Sequence, residues 1–489
     1  MDVVPVGRMD SMMSQRFCVL AFSIAIVVTG QVRAQTQQRY ISEASPLPVN
    51  DLELSHEHFS DESAVYQLTD SESLELSTVG REGRAYSVED FESFAFSSNP
   101  TIRQAQAQVA AAEGAAYQAG LLPNPVVGYT HETNNIGNGI DEHYNGGFVS
   151  QEIVTGGKLR LSRAKWCQRV QIARTNLQAQ QQRVRNDVRI QYFRTLAAQD
   201  ALRIQDSVLA NGEDQLQTAR EMLNLGQTNQ SGLLNAEVAL QRDRLARVRA
   251  QREYEHAWRT LTSYVGCPQL AVGPLEGNLS ADATPMDWDT AWVELLGASP
   301  ELRAARQRID HDRITVQRER AEPIPNLLLG ASSIYSPEVD TTTTTLNVGL
   351  ALPVFDRNRG TVKQAMADLS QSHAEVQRLE LELRTRLATQ FRDYETSWQR
   401  VMDYETIMLP KAKQSYDMLH ESYKNRRAAW PDVLMAQRQY LLLEAEQINN
   451  LLMYRENDVA VRGMLLSGGL MVPPPPVSGG HIDAVPKPR

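Results

Sequence analysis

The chain repeats itself. SNPTIRQAQAQVAAAEG at 98–114 resembles ASPELRAARQRIDHDRI at 298–314. LPNPVVGY at 122–129 matches IPNLLLGA at 324–331, sharing Pro-Asn and a Gly four residues after the Asn. SGLLNAEVAL at 231–240 matches PDVLMAQRQY at 431–440. The offset stays near 200 residues throughout. One large unit has been duplicated, so whatever this chain folds into, it builds twice. The unit reads helix, strand, strand, long helix, turn, helix. The first copy occupies 85–266 and the second 286–468. CPQLAVGPLEGNLSADATP at 267–285, rich in Gly and Pro, links them.

The long helix of the first copy runs from about Lys158 to Leu225 without a proline. At 1.5 Å per residue it is roughly 100 Å long, beyond an ordinary globular helix. Its apolar residues fall at sevens: Val188, Leu202, Leu209, Leu216 and Leu223, with Thr195 the one miss. The returning helix carries Leu234, Val238, Leu245 and Val248 at coiled-coil spacing. In the second copy Val362, Leu369, Val376 and Leu383 repeat by sevens, as do Leu434, Leu441 and Ile448 on its return. Narrow heptad seams mean paired helices rather than a globular core. The wide polar remainder suits a helix wetted on two sides, as in a hollow cylinder wall. A solid exported coiled coil without a pore explains the heptads equally well, but not the strands.

Two strand candidates precede each long helix. They are VVGYTHETNN (126–135) and YNGGFVSQEI (144–153), then LLLGASSIYS (327–336) and TTTLNVGLAL (343–352). Each has the ~9–11 residues that cross a bilayer as a tilted strand. In the last, Leu346, Val348, Leu350 and Leu352 alternate with Asn347, Gly349 and Ala351. The leucine and valine row is expected to meet lipid and the other row a lumen, with Pro353 ending the strand. Four strands cannot close a barrel, and an open edge is not tolerated in lipid, so several chains must share one.

The N-terminus supplies an export signal. Arg8 and Arg16 precede the apolar FCVLAFSIAIVV (17–28), and VRAQ offers cleavage after Ala34. Residues 35–84 are acidic, Ser-rich and aperiodic, which predicts a disordered leader, and 469–489 predicts a Pro-rich disordered tail. No later stretch reaches the ~20 apolar residues of a membrane helix. A formal net charge of −10 argues against a nucleic-acid partner. Beyond the signal only Cys167 and Cys267 remain, enough for one bridge or two thiols. There is no catalytic constellation, no phosphate loop in TGGKL, no metal-ligand spacing among the His and no need for a cofactor.

At this point the chain resembles the TolC-type outer-membrane efflux proteins over about 85–468. The resemblance is carried by Pro-Asn before the first strand of each half, QEIVTGGKLRLSRA (151–164), LALPVFDRNRGTVKQA (350–365) and LPKAKQSYDMLHESYKNRRAAWPDVLMAQRQYLLLEAE (409–446). TGGKLRL looks most like the heavy-metal cation efflux branch. The resemblance implies a mainly α chain whose duplicated helical hairpins form a periplasmic α-barrel tunnel. Four β-strands per chain would enter a trimeric 12-stranded barrel in the outer membrane. It implies a homotrimer, a periplasmic adaptor, a proton-driven inner-membrane pump, outer-membrane lipid, and passive conduction rather than catalysis.

The hairpin tips are then the expected adaptor-docking residues: Leu225, Gly226, Gln227 and Thr228 in one, Asn425, Arg426, Arg427 and Ala428 in the other. The second lacks the turn glycine, and Asn425 is expected to take its left-handed conformation. Asp417 and Glu421, four apart on one helix face, either ring a tunnel mouth or form a solvated face. His56 and His58 flanking Glu57 could meet a metal, though two His are too few for a closed site. Pro410 is expected to kink the second long helix.

Overall fold

The computed structural model describes residues 85–135, 141–280 and 285–475. The export signal, the leader with His56, Glu57 and His58, and residues 476–489 lie outside the described residues.

Each half opens with two helices meeting at one residue. In the first these are α1 (Val88–Ser98) and α2 (Pro100–Gln118). Asn99 ends α1 and caps α2, its side chain accepting from the Thr101 amide at 2.9 Å. Pro100 at the first turn cannot prolong α1 but starts α2 without loss, because its missing N–H would be unbonded there. The second half repeats this with Ser299 and Pro300 between α5 (Trp288–Ala298) and α6 (Pro300–Ala321). Between these pairs come β1 (Val126–Asn135), β2 (Asp141–Ile153), α3 (Lys158–Asn224) and α4 (Gln230–Val265). After α6 come β3 (Leu327–Ser336), β4 (Thr341–Leu350), α7 (Arg359–Asp403), α8 (Leu409–Lys424) and α9 (Trp430–Arg462).

The 67-residue α3 lies between α4 and α9, and α9 packs in turn on α7 and α8. Of the α3 seam, Val188, Thr195 and Leu216 are buried and Leu202, Leu209 and Leu223 half-buried. Thr195, the one polar heptad position, is fully buried and returns its hydroxyl to the Gln191 carbonyl at 2.8 Å. Gly212 sits inside α3, toward its C-terminal end, at a helix-propensity cost of about 1 kcal/mol. A Cβ there would come within 2.6 Å of the Asp243 carboxylate. That close approach lets Asp243 of α4 reach across α3 to a bidentate pair with Arg438 of α9, at 2.7 and 2.8 Å.

The α4 seam departs from the expected pairing. Leu234, Val238, Leu245 and Val248 are each more than half exposed. Helix α4 instead buries Leu240, Trp258, Leu261 and Val265. A narrow seam shows that a partner exists, not which helix it is. The α9 seam of Leu434, Leu441 and Ile448 is buried within the chain.

Pro410 acts through its neighbours. Residues Tyr404–Met408 widen into a π-helical turn before α8. Proline lacks an N–H and its ring crowds the carbonyl four residues back, and the wider turn relieves both.

Two aromatic cores anchor the halves. Phe91, Tyr192 and Trp258 meet in one, and Trp288, Phe391, Tyr394 and Tyr454 in the other. The linker folds onto the first: the Trp258 indole donates to the Leu270 carbonyl at 3.1 Å, and Leu275 is buried. The expected disordered tail needs correction over 469–475. The Gly469 amide donates to Asp187 at 2.6 Å, and its carbonyl accepts from Thr101 and Gln180. A Cβ at 469 would stand 2.8 Å from the Val184 Cα, so glycine lets this segment lie on α3. Cys167 is exposed, Cys267 half-buried, and both are free thiols.

The four strands form one antiparallel sheet in the order β1-β2-β3-β4, with β2 and β3 joining the halves. Its register sets Tyr129, Val149, Ala331 and Leu346 on one face, with Val127, Ile153, Leu329, Val348 and Leu350. The other face mixes Gly128, Glu132, Ser150, Glu152, Gly330, Ser332, Thr345 and Asn347 with the apolar Val126, Phe148, Leu328 and Ile334. β4 ends two residues before its expected limit, so Ala351 and Leu352 lie outside the sheet. Its partner begins only at Leu327, and the preceding Pro325 has no N–H to extend the ladder. No described helix is long and apolar enough to cross a membrane.

Candidate functional site at the hairpin tips

The two tips share one backbone. At the first, the Gly226 amide bonds to the Leu223 carbonyl at 3.0 Å and the Gln227 amide to Met222 at 2.8 Å. At the second, Arg426 bonds to Tyr423 and Arg427 to Ser422, both at 2.8 Å. These crossed bonds satisfy the last helix carbonyls and require a left-handed residue just past the helix. Gly226 fills that place with φ of 67° and Arg426 with φ of 60°. The expectation that Asn425 would take it is therefore corrected. Asn425 has φ of −84° and its side-chain amide bonds the Glu421 carbonyl at 3.0 Å. The register of the bonds, not the intrinsic preference of Asn, decides which residue turns.

Leu225, Gly226 and Gln227 are exposed and Thr228 half-buried; Asn425, Arg426 and Arg427 are exposed and Ala428 half-buried. Past the first tip Asn229 caps α4 through the Gly232 amide at 2.9 Å. Past the second, Ala429 gives no side-chain cap, and Pro431 supplies the first turn. Aromatic rings stiffen the second tip instead. Tyr423 lies 4.8 Å from Trp430, which also meets His420, and His420 meets Tyr416. Sequence reasoning passed over this group, although Tyr416, His420 and Tyr423 share one helix face at three- and four-residue spacing. Asp417 and Glu421 are exposed, with Glu421 3.6 Å from Lys424.

The sheet joins the helices through polar corners. Gly157 and Asn358, both left-handed, precede α3 and α7. Asn326, noticed in the sequence only as part of a repeat, ties the corner together. Its side chain accepts from the Lys158 ammonium at 2.9 Å and donates to Glu152 at 2.8 Å. Farther along, a buried group was not legible at all. Arg169 of α3 donates to His311 Nε2 at 3.2 Å, so His311 Nδ1 carries the proton and donates to Asp312 at 2.8 Å. Ser372 of α7 donates to the other Asp312 oxygen. Burial pushes the His311 imidazole down to about 4. At the far end of the sheet, His131 and His143 stack with rings 5.9 Å apart.

Among the described residues no three metal-ligating side chains converge. The arrangement presents two exposed tips, a four-stranded sheet whose leucine and valine row extends over all four strands, and long helices with many exposed polar residues.

Comparison with known proteins agrees. The family model described as outer membrane efflux protein matches residues 93–267 and 292–465. The cobalt-zinc-cadmium resistance protein CzcC of Cupriavidus metallidurans is 24% identical over 350 residues, covering 71% of this chain and 82% of that protein. Among solved structures, the channel CusC aligns with a TM-score of 0.63 at 16% identity, over 78% of this chain and 92% of that one. The open state of the MtrE outer membrane channel of Neisseria gonorrhoeae gives 0.63 at 17% identity, over 79% and 90%.

Proposed function

The chain belongs to the outer membrane efflux protein family and is an outer-membrane channel reaching into the periplasm; from that premise we propose how it assembles, docks and selects. Three copies share one barrel, each adding its four strands. The observation that carries this is the pair of unfinished flanks. β1 and β4 each have one unpaired edge among the described residues. On the helical side the flanks are α4, with its exposed Leu234, Val238, Leu245 and Val248, and α7–α8, with exposed Met366, Leu381 and Met418. Joining one flank to the opposite flank of the next copy is a head-to-tail contact, which makes a ring where its rotation closes. The twelve strands then have no edge, which lipid demands.

In this assembly Leu346, Val348 and Leu350 meet lipid together with Val127, Val149, Ile153 and Leu329. Glu132, Glu152, Thr345 and Asn347 face the lumen. The tips at 225–228 and 425–428 dock the helical hairpin of a periplasmic adaptor, which links the duct to a proton-driven inner-membrane pump. The cargo is heavy-metal cations; the likeness to the cobalt-zinc-cadmium resistance protein supports this. Exposed Asp417 and Glu421 favour cations at the tunnel mouth.

Replacing Gly226 and Arg426 together by bulky acidic residues tests the docking. Export stops while the detergent-extracted trimer survives; unchanged export would end the docking reading. A water-soluble elongated dimer without β signal would end the channel assembly. A deletion strain gains sensitivity to cobalt, zinc or cadmium salts; sensitivity to dyes and antibiotics alone would reassign the cargo.

A further inference from the structure

The two tips have one backbone and opposite chemistry. No ionisable residue lies between Glu221 and Glu237 around the first tip, whereas Lys424, Arg426 and Arg427 crowd the second. Lys424 has a partner in Glu421. Arg426 and Arg427 are exposed and make no ion pair among the described residues. Arg426 also holds a left-handed backbone that strains a side-chain-bearing residue and costs glycine almost nothing. The same chain places glycine at the equivalent point, so a strain-free solution is available. Of the other left-handed non-glycine residues described, Asp340, Asn358, Met464 and Leu465, Asn358 turns its side chain inward onto Glu319 at 2.9 Å, Asp340 accepts from the Tyr335 hydroxyl at 3.0 Å, and Leu465 is buried. Arg426 has no such bond. The strain persists because the crossed backbone bonds and the Tyr423–Trp430 contact over-determine the turn, and strain held in this way marks a functional position.

We propose that the second tip is a cationic clasp, in which Arg426 and Arg427 bind carboxylates at the apex of the adaptor's helical hairpin. The first tip then fits an uncharged apex, and the pair of tips fixes which way round the adaptor sits. This rests on the docking reading above. Arginine suits the task, since its planar fork meets a carboxylate with two parallel bonds.

The test uses the full-length detergent-extracted protein and three synthetic antiparallel helical hairpins. They carry two Glu, two Gln or two Lys at the apex and are otherwise identical. The Glu hairpin is expected to bind roughly three- to tenfold tighter than the Gln hairpin by fluorescence anisotropy, and the Lys hairpin weaker than both. The preference should shrink as salt rises from about 0.05 to about 0.5 M. It should vanish in Arg426→Asn/Arg427→Gln, where Asn keeps the left-handed turn. Arg426→Gly should lose much of the preference while its apex amides exchange no faster than in the parent, which separates charge from folding. Equal binding of the Glu and Gln hairpins, a preference that survives in the Asn/Gln variant, or no binding by any hairpin would overturn the clasp. If export still fails on crowding Gly226 and Arg426 while the hairpins bind alike, docking stands and the clasp alone falls.

Discussion

Ala112 and Asp312 stand at equivalent places, 200 residues apart, on the second helix of each half. In the first half Ala112, Ala116 and Ala119 pack on Trp166, Val170 and Ala173 of α3, an apolar contact with no groups to satisfy. In the second, His311 and Asp312 bridge Arg169 of α3 to Ser372 of α7. The corners differ in the same sense. Gly157 and Gly226 make left-handed turns without strain, where Asn358 and Arg426 make them with side chains attached. Duplication copies a backbone; the chemistry at each copied point is then free to diverge. At these paired points the first half keeps small, neutral residues and the second carries polar or charged ones.

This contrast can be broken at its strongest point by Asp312→Ala. Removing one partner strands buried polar and charged groups and should cost roughly 3–5 kcal/mol. The loss is read from urea unfolding of the helical circular dichroism in detergent. Ala112→Gly, at the apolar counterpart, should cost only about 1 kcal/mol. Equal losses would dissolve the distinction between the halves.

A pH titration probes the same group next. The unfolded chain takes up a proton at His311 near pH 6.5, the folded protein only near 4. The unfolded state therefore binds more protons between these values, and stability falls as pH drops through that window. This difference corresponds to roughly 3 kcal/mol, lost as the pH falls to about 4. His311→Gln should flatten this part of the profile; an unchanged profile would show that other groups set it.

The tips give smaller effects of opposite sign. Gly226→Val forces a β-branched residue into a left-handed turn and should cost about 1–2 kcal/mol locally. Arg426→Gly relieves the corresponding strain and should gain up to about 1 kcal/mol. Hydrogen exchange of the apex amides measures both. A loss at Arg426→Gly would mean that the arginine side chain supports its own turn.

Much of this was legible because it is periodic. Period two in Leu346, Val348 and Leu350, and period seven in Val188, Leu202, Leu209 and Leu216, name strand and helix without help. The returning seam of α4 was legible as a seam, but not its partner: Leu234, Val238, Leu245 and Val248 face away from the helix next to them in sequence. Asn425 looked like the turning residue because local preference favours it, yet the bond register gave the turn to Arg426. His311 gave no signal, since a lone His beside an Asp on a polar helix reads as a solvated face.

The sequence by itself determined the duplication, the order of strands and helices, and the places of the hairpin tips. These are properties of side-chain period and backbone restriction, written locally along the chain. The tertiary structure alone decided which residue takes the left-handed turn, which charges are buried, and which residues of the four strands share a face of the sheet. Those depend on register and on neighbours some 200 residues away. A chain cannot state such a contact in advance, because its energy exists only once both sides have met.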